Sequence, residues 1–248
     1  MRQLLIINPN TSSAVSQLLL SHAQAAAGPQ VRVRTVTARF GAPYIACEAS
    51  YAVAGHTVLD TWAAALAEDG QPAPDAVLIG CFGDPGLLAL RDTSSVPVTG
   101  LAEAAFVEAA RYGRFAIVTG GARWQPILGR LAQMLGYGDN LAGIQTVTPT
   151  GAQLAADPVA AQALLAAACQ TAVRDFKADA VILGGAGLAG LAQAIQSGVS
   201  VPVIDSVLAG TRQALLAATA GGTNGPGRFD VRWQQVSAEM TGLGLPAA

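Results

Sequence analysis

Charged residues are scarce in this sequence, at 12% of 248 residues, and the formal net charge is only −2. A nucleic-acid-binding surface requires clustered lysine and arginine, which this composition does not supply. No apolar run reaches the roughly 18 residues that a membrane-spanning helix requires. We therefore expect neither a nucleic acid nor a membrane as a partner, and we expect a small molecule instead.

Cysteine and histidine are also rare. The three cysteines, at positions 47, 81 and 169, form no Cys-x-x-Cys motif and no framework of paired spacings that would indicate disulfides. Two histidines leave little material for a metal site. The sequence thus predicts a protein without metal and without disulfides, and we expect it in the reducing cytoplasm.

Apolar residues, by contrast, make up 52% of the chain, and glycine occurs 28 times. This composition can fill a substantial core, and the length suits one large or two small domains. Short aliphatic runs alternate with helical segments, a pattern typical of α/β proteins with parallel sheets. The sequence predicts a helix over residues 48–68, with a break near Gly55, and indicates moderate helical potential over residues 231–240.

The stretch 75–86 combines an apolar strand with a glycine-rich end that carries a thiol. Asp-Ala-Val-Leu-Ile is followed by Gly-Cys-Phe-Gly, which places Cys81 where the strand ends. Ligands of open α/β sheets bind at the carboxyl ends of the strands, and glycines let the backbone approach a ligand closely. The stretch therefore predicts a binding site at Cys81, with Phe82 and Gly83 beside it.

This stretch has a second copy further along the chain. Asp-Ala-Val-aliphatic-aliphatic-Gly begins at Asp75 and again at Asp179, and Val-Pro-Val follows at Val96 and at Val201. The repeat predicts two similar Rossmann-like parallel-sheet domains related by an approximate two-fold axis, with the active site in the cleft between them.

The order of the repeats also suggests where the domains begin and end. We predict a discontinuous first domain, residues 1–98 plus 205–248, and a second domain, residues 99–204. The two copies differ where chemistry is expected, because the first carries Cys81 and the second carries Gly185.

Two further segments are open to a binding or a structural interpretation. The turn 8–13, Asn-Pro-Asn-Thr-Ser-Ser, opens a predicted helix, and its free N–H groups suit a carboxylate or imide oxygen. A capped turn without a binding role explains the same residues. The loop 39–44 contains two aromatic residues, and its Phe40 either walls a pocket or belongs to ordinary packing.

Cys81 is a candidate nucleophile or general base, because a helix that begins near Gly86 would lower the pKa of a neighbouring thiol. No histidine accompanies it, which disfavours a Cys–His hydrolase. Isolated cysteines are more often buried and inert, and we interpret Cys47 and Cys169 in this way. The repeat and the flanking glycines favour a reactive Cys81.

Three motifs resemble the Asp/Glu/hydantoin racemase superfamily, nearest its hydantoin and allantoin racemase branch. They are Ile-Asn-Pro-Asn-Thr-Ser at 7–12, Gly-Cys-Phe-Gly-Asp-Pro-Gly at 80–86 and Val-Pro-Val-Ile-Asp at 201–205. The resemblance implies a cofactor-independent enzyme with two α/β domains that face each other across a cleft. In that family two cysteines flank the substrate Cα: one removes its proton, and the other reprotonates the opposite face.

Cys81 matches the first cysteine of that family, whereas Gly185 stands in the position of the second. Because a glycine cannot carry a proton, the second proton must come from elsewhere, and water, Asp205 and a substrate group are the alternatives. The resemblance also implies that backbone N–H groups at both strand ends bind substrate oxygens and stabilise an enolate. The predicted substrate-binding residues are Asn10, Thr11, Phe40, Phe82, Gly83, Thr119, Gly185 and Ala186.

Three functions remain open at this point. A racemase or epimerase would invert a carbonyl-activated Cα of a small amino-acid derivative, such as a 5-substituted hydantoin. A single-cysteine decarboxylase would resemble arylmalonate decarboxylase of the same superfamily, although the cysteine of that enzyme lies in the second half. A degenerate relative would bind a small anion without turnover. The resemblance favours the racemase, and we expect a homo-oligomer.

Overall fold

The computed structural model describes residues 1–149, 151–220 and 225–245, and it contains two four-stranded parallel sheets. The strands of the first sheet are β1 (Arg2–Asn8), β2 (Val31–Thr37), β3 (Ala76–Ile79) and β4 (Val98–Gly100). The strands of the second sheet are β5 (Phe115–Gly120), β6 (Leu141–Val147), β7 (Ala180–Leu183) and β8 (Val203–Asp205). The strand orders, β2-β1-β3-β4 and β6-β5-β7-β8, are the same in both sheets.

The distribution of aliphatic residues explains the position of each strand in its sheet. β3 and β7 read Ala-Val-Leu-Ile and Ala-Val-Ile-Leu, and every residue in them is buried, as expected for parallel strands covered on both faces. β2 alternates aliphatic with basic residues and leaves Arg32 exposed. It accordingly lies at the edge of its sheet.

The repeat in the sequence is also a repeat in hydrogen bonding. The Asp75 carboxylate accepts the backbone N–H of Gln3 at 2.7 Å, and the Asp179 carboxylate accepts that of Arg114 at 2.8 Å. In each half, an aspartate just before the second central strand thus holds that strand beside the first. The prediction of two similar parallel-sheet domains is confirmed.

Helices cover the sheets, and two of them link the halves. α4 follows β4 of the first sheet and packs on β7 and β8 of the second, whereas α9 follows β8 and packs on β3 and β4. The described helices are α1 (Ser13–Ala27), α2 (Glu48–Ala67), α3 (Leu87–Thr93), α4 (Leu101–Ala109), α5 (Trp124–Met134), α6 (Gly151–Ala156), α7 (Pro158–Phe176), α8 (Leu191–Ile195), α9 (Ser206–Ala220) and α10 (Ala238–Gly242).

The contacts of α9 and α10 bear on the predicted domain division. α9 packs on α1 and on the first sheet, and α10 packs on α2. These contacts support a first domain of residues 1–98 plus 205–248, but the boundaries stay a prediction. Residues 221–224 and 246–248 of that domain lie outside the described ranges. Within those ranges, no helix combines the length and the apolar character that crossing a membrane requires.

The predicted break of α2 near Gly55 is wrong, because the helix is continuous from Glu48 to Ala67. Gly55 has a different role. A Cβ built on Gly55 would lie 3.6 Å from the Gly86 nitrogen, and a Cβ on Gly86 would lie 3.0 Å from the Gly55 oxygen. The glycine therefore lets the helix approach the loop that follows Cys81.

The moderate helical potential of residues 231–240 is realised only at its end, where α10 forms from Ala238 to Gly242. Ser237 caps this helix, and its hydroxyl accepts the Met240 N–H at 3.3 Å. The segment before the cap is irregular and is held by packing, since Phe229 and Met240 are buried against Ala63 of α2. Tertiary contacts have thus overridden its moderate helical propensity.

Candidate active site

A cavity of about 90 Å³ lies between the two sheets, at the carboxyl ends of β1, β3, β5 and β7. Both halves supply its wall, as expected for a ligand site of parallel α/β sheets. The first half contributes Asn10, Ser12, Val15, Pro43, Tyr44, Ile45, Gly80, Cys81 and Phe82. The second half contributes Thr119, Gly120, Trp124, Gly184, Gly185, Ala186, Gly187 and Leu188.

Cys81 is the thiol of this cavity, and its side chain is nearly buried at the end of β3. The chain turns directly after it, since the Cys81 carbonyl accepts the Asp84 N–H at 3.1 Å. Burial raises the pKa of the Cys81 thiol far above its usual range, and the neighbouring Asp84 carboxyl raises it further. The expectation that the N-terminus of α3 lowers this pKa is therefore wrong, and the thiol is held neutral.

Asp84 lies behind Cys81 and fixes the loop that carries it. The two carboxylate oxygens accept the backbone N–H groups of Ala102 and Glu103 at 2.9 and 2.7 Å, at the start of α4. Burial raises the pKa of Asp84 to about 7, although these two hydrogen bonds act in the opposite direction. Gly100 provides the space, because a Cβ built there would overlap the carboxylate.

Gly185 occupies the matching position in the second half and also lines the cavity. Its backbone has φ +142° and ψ 135°, a conformation that residues with a side chain rarely adopt. A Cβ built on Gly185 would contact only the Leu188 side chain, at 3.5 and 3.7 Å. The site therefore has space for a side chain, but the backbone angles of residue 185 are ones that glycine adopts far more readily than other residues.

Asn10 presents a hydrogen-bond donor to the cavity. Its Oδ1 accepts the Asn8 amide at 3.1 Å and the Ser12 N–H at 2.9 Å, which fixes the orientation of the side-chain amide. The Asn10 Nδ2 has no acceptor among the described residues. It is therefore free of protein acceptors in that part of the chain, and a binding role of the turn 8–13 beside its capping role stays a prediction.

Other donors surround the same space. The Thr119 hydroxyl at the end of β5 has no hydrogen-bond partner in the described part of the chain, and it lies in the cavity wall. The backbone N–H groups of Cys81 and Phe82 likewise donate to no described protein group. Ala186 opens a short 3₁₀ turn, where the first N–H groups have no acceptor within the turn. The cavity thus offers several donors to an oxygen-rich ligand.

Aromatic residues close the cavity on its two sides. The Phe82 ring crosses from the first half to Gly184, where a Cβ would overlap it. Trp124 of α5 packs on Gly83 and makes an edge-to-face contact with Tyr51, with ring centroids 6.4 Å apart. Since these contacts join the two halves, they hold the strand ends close to each other around the cavity.

Six of the nine predicted site residues line the cavity, and the other three do not. Thr11 donates its backbone N–H to the Ala42 carbonyl at 3.1 Å, outside the wall. Phe40 is 36% exposed and packs edge-on against His56, with ring centroids 5.0 Å apart. Gly83 packs against the Trp124 ring and is not part of the cavity wall. The residues that do line the cavity are Asn10, Cys81, Phe82, Thr119, Gly185 and Ala186.

Asp205 does not line the cavity, and its carboxylate is engaged elsewhere. Its Oδ1 accepts the N–H groups of Val207 and Leu208 at 2.8 and 3.1 Å, and its Oδ2 accepts that of Gly190 at 2.7 Å. The alternative that Asp205 supplies the second proton is therefore wrong, because the carboxylate caps α9 instead.

The other two cysteines lie away from the cavity, and they differ from each other. Cys169 is buried in α7, and burial raises its pKa to about 12, as expected for an inert thiol. Cys47 is partly exposed at the N-terminus of α2. Two hydrogen bonds lower the pKa of the Cys47 thiol. The larger effect comes from the Ser50 backbone N–H, and the smaller one comes from the Ser50 hydroxyl. The interpretation of Cys47 as a packed thiol is wrong.

Sequence reasoning missed several residues of the wall. Tyr44 is the most informative, since it lies in the loop whose two aromatic residues drew attention to Phe40. Trp124 and Leu188 come from the second half, and only the fold brings them to the first. Glycine-rich strand ends were the available signal, since Gly184 and Gly187 flank the predicted Gly185 and Ala186. Among the described residues, no group of histidine, cysteine and carboxylate side chains could hold a metal ion.

Known proteins share this sequence pattern and fold. A family profile described as Asp/Glu/hydantoin racemase matches residues 4–214. A hydantoin racemase of Paenarthrobacter aurescens is 33% identical over 217 residues, which cover 86% of this chain and 89% of that protein. The resemblance noted in the motifs therefore extends over most of the chain.

Solved structures agree. The allantoin racemase of Klebsiella pneumoniae has a TM-score of 0.85 and 30% sequence identity, covering 94% of this chain and 97% of that one. Arylmalonate decarboxylase is more distant, with a TM-score of 0.60 and 20% identity over 91% of this chain and 96% of that one. The second likeness shows the fold alone.

Proposed function

Because this chain belongs to the Asp/Glu/hydantoin racemase family, we propose that it inverts a carbonyl-activated stereocentre of a small hydantoin-like compound. The proposed acid–base group is the Cys81 thiol, and the proposed reaction uses no cofactor. The observation that carries the proposal is the position of this thiol. Among the described residues, Cys81 is the only cysteine that lines the cavity between the two sheets.

The donors of the cavity suit the oxygens of a hydantoin ring. Asn10 Nδ2 and the Thr119 hydroxyl lie at the ends of β1 and β5, one in each half. The two carbonyl oxygens of the ring would accept from these groups and from the free backbone N–H groups. The apolar side chains of Val15, Ile45 and Trp124 would contact the ring substituent. Substrate binding thus follows from groups already in place.

The chemical step is removal of the Cα proton. A Cys81 thiolate takes this proton, and the electron pair moves into the neighbouring carbonyl to form an enolate. Backbone N–H groups at Cys81, Phe82 and Ala186 would stabilise the developing negative charge on the oxygen, as in other enolate-forming sites. Return of a proton to the opposite face of the planar enolate completes the inversion.

The first test measures proton exchange and inversion together. Incubated in D₂O with each enantiomer of 5-benzylhydantoin, the protein should replace Cα–H with deuterium and invert the centre, which NMR and chiral chromatography follow. Cys81→Ser should lose about 10²–10⁴-fold of the inversion rate for both enantiomers, and of the exchange rate for the enantiomer whose Cα–H faces residue 81, the usual contribution of an acid–base group. Cys47→Ser is the matched control, because serine is a good cap for α2 and Cys47 lies outside the cavity. A Cys81→Ser variant that inverts either enantiomer at the wild-type rate would contradict the proposal.

One observation favours a second candidate, a decarboxylase. Burial raises the pKa of the Cys81 thiol and so favours its protonated form, which is a proton donor. A decarboxylase needs such a donor, because loss of CO₂ from a malonate-type acid leaves a carbanion that one proton quenches. A site with one thiol would protonate it from one face only. Arylmalonates are therefore the second substrate class to test.

The pH dependence separates the two reactions. A racemase needs the Cys81 thiolate, and since the pKa of this thiol lies well above neutrality, the thiolate fraction rises about tenfold per pH unit. We expect kcat/KM for a hydantoin to rise with nearly that slope between pH 7 and 8.5. The slope is shallower near pH 7, where ionisation of Asp84 opposes the thiolate. Decarboxylation by the thiol would be flat over this range. Rates measured without protein at each pH supply the uncatalysed background.

A further inference from the structure

Inversion requires a proton donor opposite Cys81, and the second wall of the cavity carries no thiol. Gly185 has no side chain, and the Asp205 carboxylate is held by three backbone N–H groups. The other side chains of the second half that line the cavity are Thr119, Trp124, Ala186 and Leu188, and none of them titrates at accessible pH. Among the described residues, the second half therefore supplies no acid of its own to the cavity.

Tyr44 reaches that wall from the first half. It belongs to the loop between β2 and α2 and lines the cavity together with Cys81. Its hydroxyl lies 3.4 Å from the Gly120 carbonyl oxygen, at the carboxyl end of β5 in the second half. A Cβ built on Gly121 would also lie 3.5 Å from this hydroxyl. The phenol is thus located at the second sheet, while Cys81 is located at the first.

The contact with Gly120 leaves the phenol free to act. At 3.4 Å this hydrogen bond is long, and the hydroxyl hydrogen rotates about the C–O bond. Tyr44 is partly exposed, so solvent reaches its side chain. Among the described residues that line the cavity, Cys81 and Tyr44 are the only two with an acid–base side chain.

We propose that Tyr44 is the second catalytic residue, which donates and accepts the Cα proton on the substrate face opposite Cys81. This inference rests on the proposed racemase function. In one direction, the Cys81 thiolate takes the Cα proton, forming S–H, and the electron pair enters the enolate. The enolate carbon then takes the proton of the Tyr44 hydroxyl, forming the inverted Cα–H and a phenolate. Water returns a proton to Tyr44 and accepts one from Cys81, which restores the starting state.

The test compares the two enantiomers in Tyr44→Phe. Incubated in D₂O with 5-benzylhydantoin, this variant should lose inversion by about 10²–10⁴-fold. The enantiomer whose Cα–H faces Cys81 should still exchange hydrogen for deuterium with retention of configuration. The opposite enantiomer should lose exchange to a similar extent as inversion. This asymmetry is the signature of a two-residue site from which one residue has been removed.

Tyr51→Phe is the matched control. The Tyr51 hydroxyl donates to the Gly83 carbonyl at 2.8 Å and does not line the cavity, so its loss disturbs packing near Cys81 without removing the proposed acid. In Tyr51→Phe, exchange and inversion should change together for both enantiomers. Tyr44→Phe behaving in the same way, or inverting at the wild-type rate, would overturn the inference and assign the second proton to water.

A binding measurement decides the matter if the wild-type protein neither exchanges nor inverts any hydantoin, an outcome that overturns the proposed function. Barbiturate, a planar ring anion that resembles the enolate, is the probe, and calorimetry gives its affinity. A phenol that faces the ligand contributes a hydrogen bond to the anion, so Tyr44→Phe should weaken binding about tenfold or more. Equal affinities of the variant and the wild type, or no binding to either, would refute a role for Tyr44.

Discussion

The three cysteines of this chain share one side chain and differ in chemistry because their surroundings differ. Cys81 and Cys169 are buried, and desolvation raises the pKa of both thiols. Cys47 caps a helix, where hydrogen bonds from Ser50 lower its pKa. The thiol at the proposed substrate site is therefore expected to react more slowly with an external reagent than Cys47.

Alkylation should reveal this difference. From the sequence alone we expect Cys81 to react first, but the structure reverses the expected order. With iodoacetamide at neutral pH, Cys47 should be modified first, because it is partly exposed and its thiolate is favoured, whereas Cys81 is buried and neutral. Peptide mapping at successive times measures the order. Cys47→Ser should abolish the fast phase, and fast labelling of Cys81 in that variant would show that its thiol is ionised.

Gly185 is the residue at which this chain departs most from the two-thiol pattern. The structure adds that the departure includes the backbone, since Gly185 has φ +142° and Cys81 does not have positive φ. Restoring the second thiol therefore involves strain as well as chemistry. Such strained conformations cost about 1–3 kcal/mol.

Gly185→Cys and Gly185→Ala separate the two effects. Both variants should lose about 1–3 kcal/mol of unfolding free energy in urea, because both place a Cβ on the same backbone. Only Gly185→Cys should raise the rate of hydantoin inversion, since its sulfur would enter the cavity beside Leu188. A folded Gly185→Cys with no faster inversion than Gly185→Ala would mean that the cavity no longer uses an acid at this position.

At the scale of elements, both halves use a buried carboxylate to connect a loop with the start of a helix, but they place this carboxylate at opposite positions. Each must tie the loop after its second central strand to the helix that follows its last strand. In the first half the carboxylate comes from the loop, as Asp84, and Gly100 at the strand end leaves space for it. In the second half the carboxylate belongs to Asp205 at the end of β8. Leu188 occupies the loop position that matches Asp84. The register of the sheets places Gly100 and Asp205 at matching positions.

Substitution of Asp205 should weaken the second of these ties in steps. Asp205→Ala leaves the N–H groups of Val207, Leu208 and Gly190 without their acceptor and should cost about 3 kcal/mol. Asp205→Asn keeps one oxygen for the start of α9 and loses the bond to Gly190, so about 1 kcal/mol is expected. Thermal unfolding measures both, since 1 kcal/mol shifts Tm by about 2–4 °C in a protein of this size. An unchanged Tm in Asp205→Asn would argue against a stabilising Gly190 contact, and equal shifts for the two variants would argue against a contribution from the cap of α9.

The elements themselves were predicted with unequal success, for physical reasons. Strand runs such as 76–79 are apolar throughout and are followed by glycine. Their composition and length therefore predict buried strands. The helical potential of residues 231–240 is realised only in α10, because its weak propensity competes with the burial of Phe229 and Met240 against α2. Gly55 was read as a break although it serves a close approach to Gly86. A glycine in sequence does not distinguish flexibility from contact.

For the whole molecule, the internal repeat carried most of the prediction. The matching Asp-Ala-Val and Val-Pro-Val segments implied two similar parallel sheets, and the identical strand orders agree with this. The repeat also pointed to Cys81 and Gly185, which line one cavity. It could not indicate Tyr44 or Trp124, because these come from parts of the chain outside the repeat. Their position depends on how the two halves face each other, which no local pattern encodes.

The opposite placement of the two carboxylates has a consequence for exchanging segments between the two halves. Suppose a symmetric protein is assembled from two copies of the first half, or of the second. Each copy then contains both its carboxylate and the small or apolar residue that complements it. A hybrid that combines the loop of the first half with the last strand of the second would set two aspartates against each other in a buried space. The reverse hybrid would leave a helix start without any acceptor. The halves are therefore exchangeable as complete modules and not piece by piece.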